Sequence, residues 1–75
     1  MQTIGTRIRH ARQRALMTQE DLASASGVAV VTLSRLENDQ YTEPRPATVR
    51  KLAQALDVDP AWLMFGDEGL GKVAA

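Results

Sequence analysis

The chain has 75 residues and a mass of 8.2 kDa, which is room for one compact domain. It contains no cysteine and a single histidine, His10, so we expect no disulfide, no metal site and no cofactor. Hydrophobic residues make up 44% of the chain, which excludes wholesale disorder. No apolar run approaches the roughly 18 residues of a membrane span, and the N-terminus lacks the apolar part of a signal peptide. These features predict a soluble cytoplasmic domain with no membrane partner.

The charged residues divide the chain into a basic body and an acidic end, although the formal net charge is +0. Residues 1–56 contain eight basic side chains against five acidic ones, a balance of +3, whereas residues 57–75 contain one against four, a balance of −3. A basic patch of this kind attracts nucleic acid even when the whole chain is neutral. Charges that only solvate helix faces are an equally valid interpretation of this pattern.

Apolar residues recur at helical spacing along the chain, and no strand-like alternation is present. The pattern predicts an all-α fold with five helices, of which the fourth begins at Pro46 and the others span about residues 3–16, 19–25, 30–38 and 61–65. Thr18, with Asp21 three residues later, fits an acidic variant of the capping box, and Gly27 is a natural stop for the second helix. We expect one domain over residues 1–66 and a flexible C-terminal tail over residues 67–75.

The first helix has one apolar stripe, formed by Ile4, Ile8, Ala11 and Ala15. The arginines at positions 7, 9 and 14 fall outside this stripe. His10 lies between basic residues on the same helix, and we expect it to be solvated and to have no functional role.

The segment from Gln19 to Leu36 has the spacing of a helix-turn-helix unit. Ala23 is a small residue at the expected crossing of two helices, and Gly27 follows four residues later for the turn. Core positions of such a unit are occupied by Leu22, Val28, Leu33 and Leu36. The second helix of a helix-turn-helix can lie in the major groove of DNA, which is about 12 Å wide.

From about Ile4 to Leu63 the chain resembles the Xre/Cro-type helix-turn-helix domain of lambdoid phage repressors and related bacterial regulators. The stretches that carry the resemblance are MTQEDLASASGV, TLSRLEN and PRPATVRKLAQALDVDPAWL. The resemblance implies a compact five-helix bundle of the lambda-repressor-like DNA-binding type, in which helices 2 and 3 form the helix-turn-helix. It also implies a bacterial or phage-encoded homodimer that binds double-stranded DNA at a palindromic operator.

The resemblance also implies roles for individual residues. DNA contacts, to bases or to the backbone, are expected from Gln19, Ala29, Val30, Val31, Thr32, Ser34, Arg35, Asn38, Tyr41, Thr42 and Arg45. Among these, Gln19 matches a phosphate-contacting position, Arg35 is suited to a bidentate bond to guanine, and Arg45 is suited to a narrow minor groove. Arg12 and Glu37 match a structural ion pair of the family, with two independent surface charges as the alternative.

Two features depart from the family pattern. Val30 and Val31 stand where polar residues are usual, so we expect them to pack on thymine methyl groups and to favour A·T-rich half-sites. Ala29 stands where a Ser or Thr cap is common, and its side chain cannot accept a hydrogen bond. Adjacent exposed valines are also consistent with a protein-binding surface.

The fifth helix carries four successive large residues, Trp62 to Phe65, and is too short to bury them all. Trp62 is expected in the core. Met64 and Phe65 are candidate dimer contacts, since one or both should be exposed beside the two-fold axis.

We therefore predict a transcriptional regulator, a repressor that acts as a homodimer on a palindromic operator through the major groove. The alternatives are an antitoxin or restriction–modification controller protein with the same domain, or a protein-binding adaptor that uses the Val30–Val31 face. An enzyme is not expected, because Ser24, Ser26 and Ser34 lack a general base at a recognisable spacing and no phosphate-binding Gly-rich loop is present. No small-molecule ligand is evident.

Overall fold

The computed structural model describes residues 2–67. This part of the chain folds into five α-helices, which are α1 (Ile4–Arg14), α2 (Gln19–Ser26), α3 (Val30–Glu37), α4 (Pro46–Leu56) and α5 (Pro60–Phe65). It contains no strand, which confirms the predicted all-α class. None of the described helices is long and apolar enough to cross a membrane. Apart from Asp67, the expected tail of residues 67–75 lies outside the described residues.

Local sequence sets the helix ends largely as predicted. The Thr18 hydroxyl accepts the backbone N–H of Asp21 at 3.0 Å, and the Asp21 carboxylate accepts the N–H of Thr18 at 2.9 Å, which completes the capping box. Gly27 ends α2 with a φ of 76°. The carboxylate of Asp59 accepts two backbone N–H groups at the start of α5, and Pro60 opens that helix one residue earlier than predicted.

All five helices contribute to one core, with α1 packed on α3, α4 and α5, and α2 packed on α3 and α4. The buried hydrophobic residues are Ile4, Ile8, Ala11, Leu22, Val28, Leu33, Leu36, Val49, Leu52, Ala53, Leu56 and Leu63. The predicted core positions of the helix-turn-helix are therefore all buried. Trp62, predicted in the core, is half-buried and packs against its edge.

The first helix departs from its sequence pattern at two residues. Ala15 is exposed, because α1 ends at Arg14 and the chain leaves the core at the following residue. Arg7 does not face solvent but is only 6% exposed. Its guanidinium is buried against the end of α5, where it donates to the carbonyl oxygens of Leu63 and Met64.

Gly5 allows the start of α1 to approach the end of α3 closely. A Cβ atom at Gly5 would overlap the backbone carbonyl oxygen of Leu36 and would lie 2.9 Å from Oδ1 of Asp39. The Thr3 hydroxyl donates to Oδ1 of Asp39 at 2.7 Å and fastens the same junction. Because the neighbour at Leu36 is backbone, it cannot turn aside as a side chain would.

Replacing Gly5 with alanine is expected to lower the free energy of unfolding by about 2 kcal/mol. Overpacking costs about 1–3 kcal/mol, which outweighs the gain in helix propensity of about 1 kcal/mol. Gly27→Asn is a comparison variant without overpacking, because no atom beyond the neighbouring residues lies within 4 Å of the Cβ position and its cost comes from the left-handed backbone alone. Urea denaturation measures both variants, and a Gly5→Ala protein as stable as the wild type would contradict the close approach of α1 and α3.

Candidate nucleic-acid interface

α3 has one fully buried side and one exposed side. Leu33 and Leu36 have no exposed surface, whereas Val30 is 40% exposed and Val31 is 57% exposed. Arg35 is also exposed on this helix. Since the buried leucines anchor the helix to the core, α3 presents the valines and the arginine outward on a fixed support.

The other predicted residues of α3 border this exposed side. Thr32 and Ser34 are half-buried, and Nδ2 of Asn38 at the end of the helix lies 3.4 Å from the Ser34 hydroxyl. Ala29 occupies the N-cap position and provides no side-chain cap, as its sequence predicts. The first backbone N–H groups of α3 therefore have no side-chain acceptor at the N-cap.

The connection between α3 and α4 continues the same surface. Tyr41 is half-buried, while Thr42 and Arg45 are exposed. A shallow notch of about 260 Å³ separates this connection from α3 and is lined by Thr32, Arg35, Gln40 and Tyr41. Gln40, in the polar stretch that directly follows α3, also lines this notch and was not among the predicted residues.

The predicted ion pair of Arg12 and Glu37 forms inside the protein. The Glu37 side chain has no exposed surface and accepts two hydrogen bonds from Arg12, from Nε at 2.8 Å and from Nη2 at 2.9 Å. The third nitrogen of the guanidinium, Nη1, donates to the carbonyl oxygen of Met17 at 2.8 Å. This bidentate pair links α1 to α3 and to the turn that precedes α2.

Two more side chains share the Glu37 carboxylate. Nε2 of Gln19, the first residue of α2, donates to Oε1 of Glu37 at 3.2 Å. Arg9 on α1 lies 3.5 Å from the same oxygen and donates through Nη2 to the backbone oxygen of Glu37 at 3.1 Å. Arg9 is otherwise exposed, and nothing in the helical pattern indicated this contact. The predicted phosphate-contacting residue Gln19 is therefore fixed by a carboxylate on α3.

The hydrogen bonds around Glu37 determine its charge state. Burial by itself would raise the pKa of the Glu37 carboxyl, but the hydrogen bonds from Arg12 and Gln19 and the charge of Arg12 outweigh burial and lower it. The hydrogen bond to Glu37 likewise raises the pKa of Arg12. Both groups are therefore ionised at neutral pH.

The lowered pKa of Glu37 predicts an acid-sensitive contribution to stability. A carboxyl whose folded pKa lies below its usual value of 4.5 stabilises the protein above that pH, and the contribution is lost as the pH falls through the folded value. We expect the free energy of unfolding to fall more steeply below pH 4.5 in the wild type than in Glu37→Gln. Urea denaturation over this pH range measures both slopes, and equal slopes would contradict the assigned pKa shift.

Comparison with known proteins identifies the family. Residues 8–63 match the family described as helix-turn-helix, and the chain therefore belongs to that family. The predicted relationship to lambdoid phage repressors is confirmed by a crystal structure of the P22 c2 repressor protein in complex with synthetic operator 9T in the presence of Tl+. The match has a TM-score of 0.82 and 33% sequence identity, and it covers 89% of this chain and 100% of that chain.

Curated bacterial proteins are also similar in sequence. The HTH-type transcriptional repressor RghR of Bacillus subtilis (strain 168) is 38% identical over 65 residues, which is 87% of this chain and 48% of that protein. The HTH-type transcriptional regulator DicA of Escherichia coli (strain K12) is 38% identical over 66 residues, which is 88% of this chain and 48% of that protein. The chain thus spans about half the length of these relatives.

Proposed function

We propose that this chain is a sequence-specific transcriptional regulator that represses by binding a palindromic operator in double-stranded DNA as a homodimer in the bacterial cytoplasm. The main support for the proposal is the exposed side of α3, whose opposite side is completely buried. Two findings on similar proteins support it. The P22 c2 repressor is bound to a synthetic operator, and RghR is named a transcriptional repressor.

The exposed side of α3 has side chains suited to the major groove, which is wide enough for an α-helix. The methyl groups of Val30 and Val31 fit the C5-methyl groups of thymine, so the half-sites are A·T-rich. Arg35 adds a bidentate donor for O6 and N7 of guanine, a contact that discriminates by about 1–3 kcal/mol. Thr32 and Ser34 add hydroxyl groups that bond to bases or phosphates.

The residues around α3 are suited to the DNA backbone. The N–H of Gln19 is one of the groups that the start of α2 leaves without an intrahelical acceptor, and it can bind a phosphate. Asn38, Tyr41 and Thr42 supply neutral donors along the backbone. Arg45 is exposed directly before α4 and supplies the charge that reaches a narrow minor groove.

The end of α5 supports association of two copies. Phe65 is 65% exposed and Met64 is half-buried. Together they border an apolar depression of about 410 Å³ whose lining also includes Pro44, Pro46, Val49, Arg50, Pro60 and Ala61. A two-fold contact through this face would cover the exposed phenyl ring in both copies and place two α3 helices on one palindromic site.

Selection of bound sequences from a random pool of DNA duplexes tests the proposed function. We expect enrichment of symmetric sites with A·T-rich half-sites. The affinity should fall as salt rises, with a slope of about −0.9 per neutralised phosphate in a plot of log affinity against log salt concentration.

A protein-binding adaptor is the second candidate, since the exposed Val30–Val31 face also fits an apolar partner. If no sequence were enriched and the protein bound no DNA at any salt concentration, the adaptor would be favoured. An adjacent toxin or restriction endonuclease gene would identify an antitoxin or a controller protein.

Two arginine variants are expected to affect the selected operator differently. Arg35→Ala should relax the preference at one base pair by about 1–3 kcal/mol, because it removes a base contact. Arg45→Ala should weaken binding across all sequences and reduce the salt slope by about one, because it removes a backbone contact. Titrations at several salt concentrations, with single-base variants of the operator, measure both effects. If both variants bound every site like the wild type, the proposed docking would be wrong.

The homodimer is tested by replacing Phe65 with serine. Since the ring is largely exposed in one copy, we expect the fold to persist while the dissociation constant of the dimer rises by about tenfold or more. Leu16→Ser is a matched control, because Leu16 is 91% exposed and does not line the α5 depression. Sedimentation equilibrium measures self-association, and equal dissociation constants for the two variants would exclude Phe65 from the contact.

A further inference from the structure

Arg7 is a buried cation that the proposed DNA contacts do not use. Its three guanidinium nitrogens donate to three different carbonyl oxygens, from Nε to Leu63 at 2.9 Å, from Nη2 to Met64 at 2.7 Å and from Nη1 to Gln2 at 2.8 Å. Two of these carbonyls belong to α5 and the third to the segment before α1. The side chain therefore ties the end of α5 to the beginning of the chain.

α5 depends on contacts of this kind because it is a weak helix. It has only six residues, whereas isolated helices shorter than about 12–15 residues are marginal in water. Leu63 is its one buried residue, and its last carbonyl groups lack intrahelical donors. The Arg7 guanidinium supplies both the missing donors and a positive charge at the negative end of the helix dipole.

The geometry requires arginine at position 7. Within residues 2–67 no carboxylate lies at ion-pair distance from Arg7, although the charge of Asp67 acts on it from further away, so carbonyl oxygens accept its hydrogen bonds. A lysine has all its donors on one nitrogen and cannot reach three separated oxygens as the planar guanidinium does. Gly66 packs beside the same group, and a Cβ atom there would lie 3.2 Å from Nη1 of Arg7.

We propose that Arg7 is a positioning residue for self-association, because it holds α5 on the bundle and so presents Phe65 to a second copy of the chain. This inference rests on the proposed homodimer. When the guanidinium is lost, α5 detaches locally, while α1 to α4 keep their packing and α3 keeps its orientation. Local opening of a short terminal element, separate from global unfolding, is common in proteins.

The experiment compares Arg7→Lys and Arg7→Met with Arg14→Lys, a matched change at an exposed arginine on the same helix. Trp62 is the one tryptophan of the chain and lies on α5, so its fluorescence reports the docking of that helix. Urea unfolding is followed by this fluorescence and by far-ultraviolet circular dichroism. Sedimentation equilibrium gives the dimer constant, and titration with a single half-site duplex gives the DNA affinity of one subunit.

In Arg7→Lys we expect the Trp62 transition to precede the circular dichroism transition, while the two coincide in the wild type and in Arg14→Lys. The dimer constant should weaken by about tenfold, whereas half-site affinity should stay within about twofold of the wild type. Arg7→Met should show the same split more strongly.

Coincident transitions with an unchanged dimer constant in Arg7→Lys would overturn the role of Arg7 and leave the homodimer intact. A wild-type chain that stays monomeric would overturn the homodimer itself, and with it the self-association role. Global unfolding of both Arg7 variants would also contradict the proposal, since Arg7 would then support the whole core rather than the position of α5.

Discussion

The arrangement of the candidate interface depends on the hydrogen bonds that the Glu37 carboxylate accepts. It belongs to α3 and binds Arg12 on α1 and Gln19 on α2. A buried ion pair adds little net stability compared with well-packed apolar residues, but the loss of one partner leaves an uncompensated charge. We therefore infer that the Arg12–Glu37 pair helps to orient the helices that it joins. The carboxylate links α3 to α1 and α2, while the buried leucines of α3 supply the packing energy.

The exposed side of α3 is built from residues that do not favour the stability of the isolated chain. Val30 and Val31 leave apolar surface in water, and Ala29 leaves the helix without a side-chain cap. A serine or threonine in place of Ala29 would add a capping bond worth about 0.5–2 kcal/mol. Residues that are suboptimal for folding are common at functional surfaces, because function constrains the choice of side chain there. The same reasoning supports a binding role for this side of the helix.

The sequence predicted the helices because their signals are local. The capping box at Thr18, the left-handed Gly27 and the proline starts of α4 and α5 each act within a few residues. The burial of Arg7 was not predicted, because its acceptors on α5 lie 56 and 57 residues further along the chain. Helical periodicity assigns a charged residue to solvent and contains no information about distant carbonyl groups.

The candidate site was also predictable only in part. The spacing of apolar residues placed the exposed side of α3, and a family resemblance supplied the pairing of Arg12 with Glu37. The contacts of Arg9 and Gln19 with that carboxylate arise only when three helices meet, so neither could be read from one helix alone. The bases that α3 would contact in the proposed complex depend on the shape of the DNA as well as on the side chains.

The binding of DNA by α3 and its neighbours is best tested by titrating the isotope-labelled protein with its selected operator and following the amide signals in solution NMR. We expect the largest shifts at Gln19, at residues 29–35 and in the connection over residues 38–45, with small shifts in the helices behind them. Shifts centred on α4 or on residues 10–15 of the chain, with the signals of Val30 to Arg35 unchanged, would contradict this expectation.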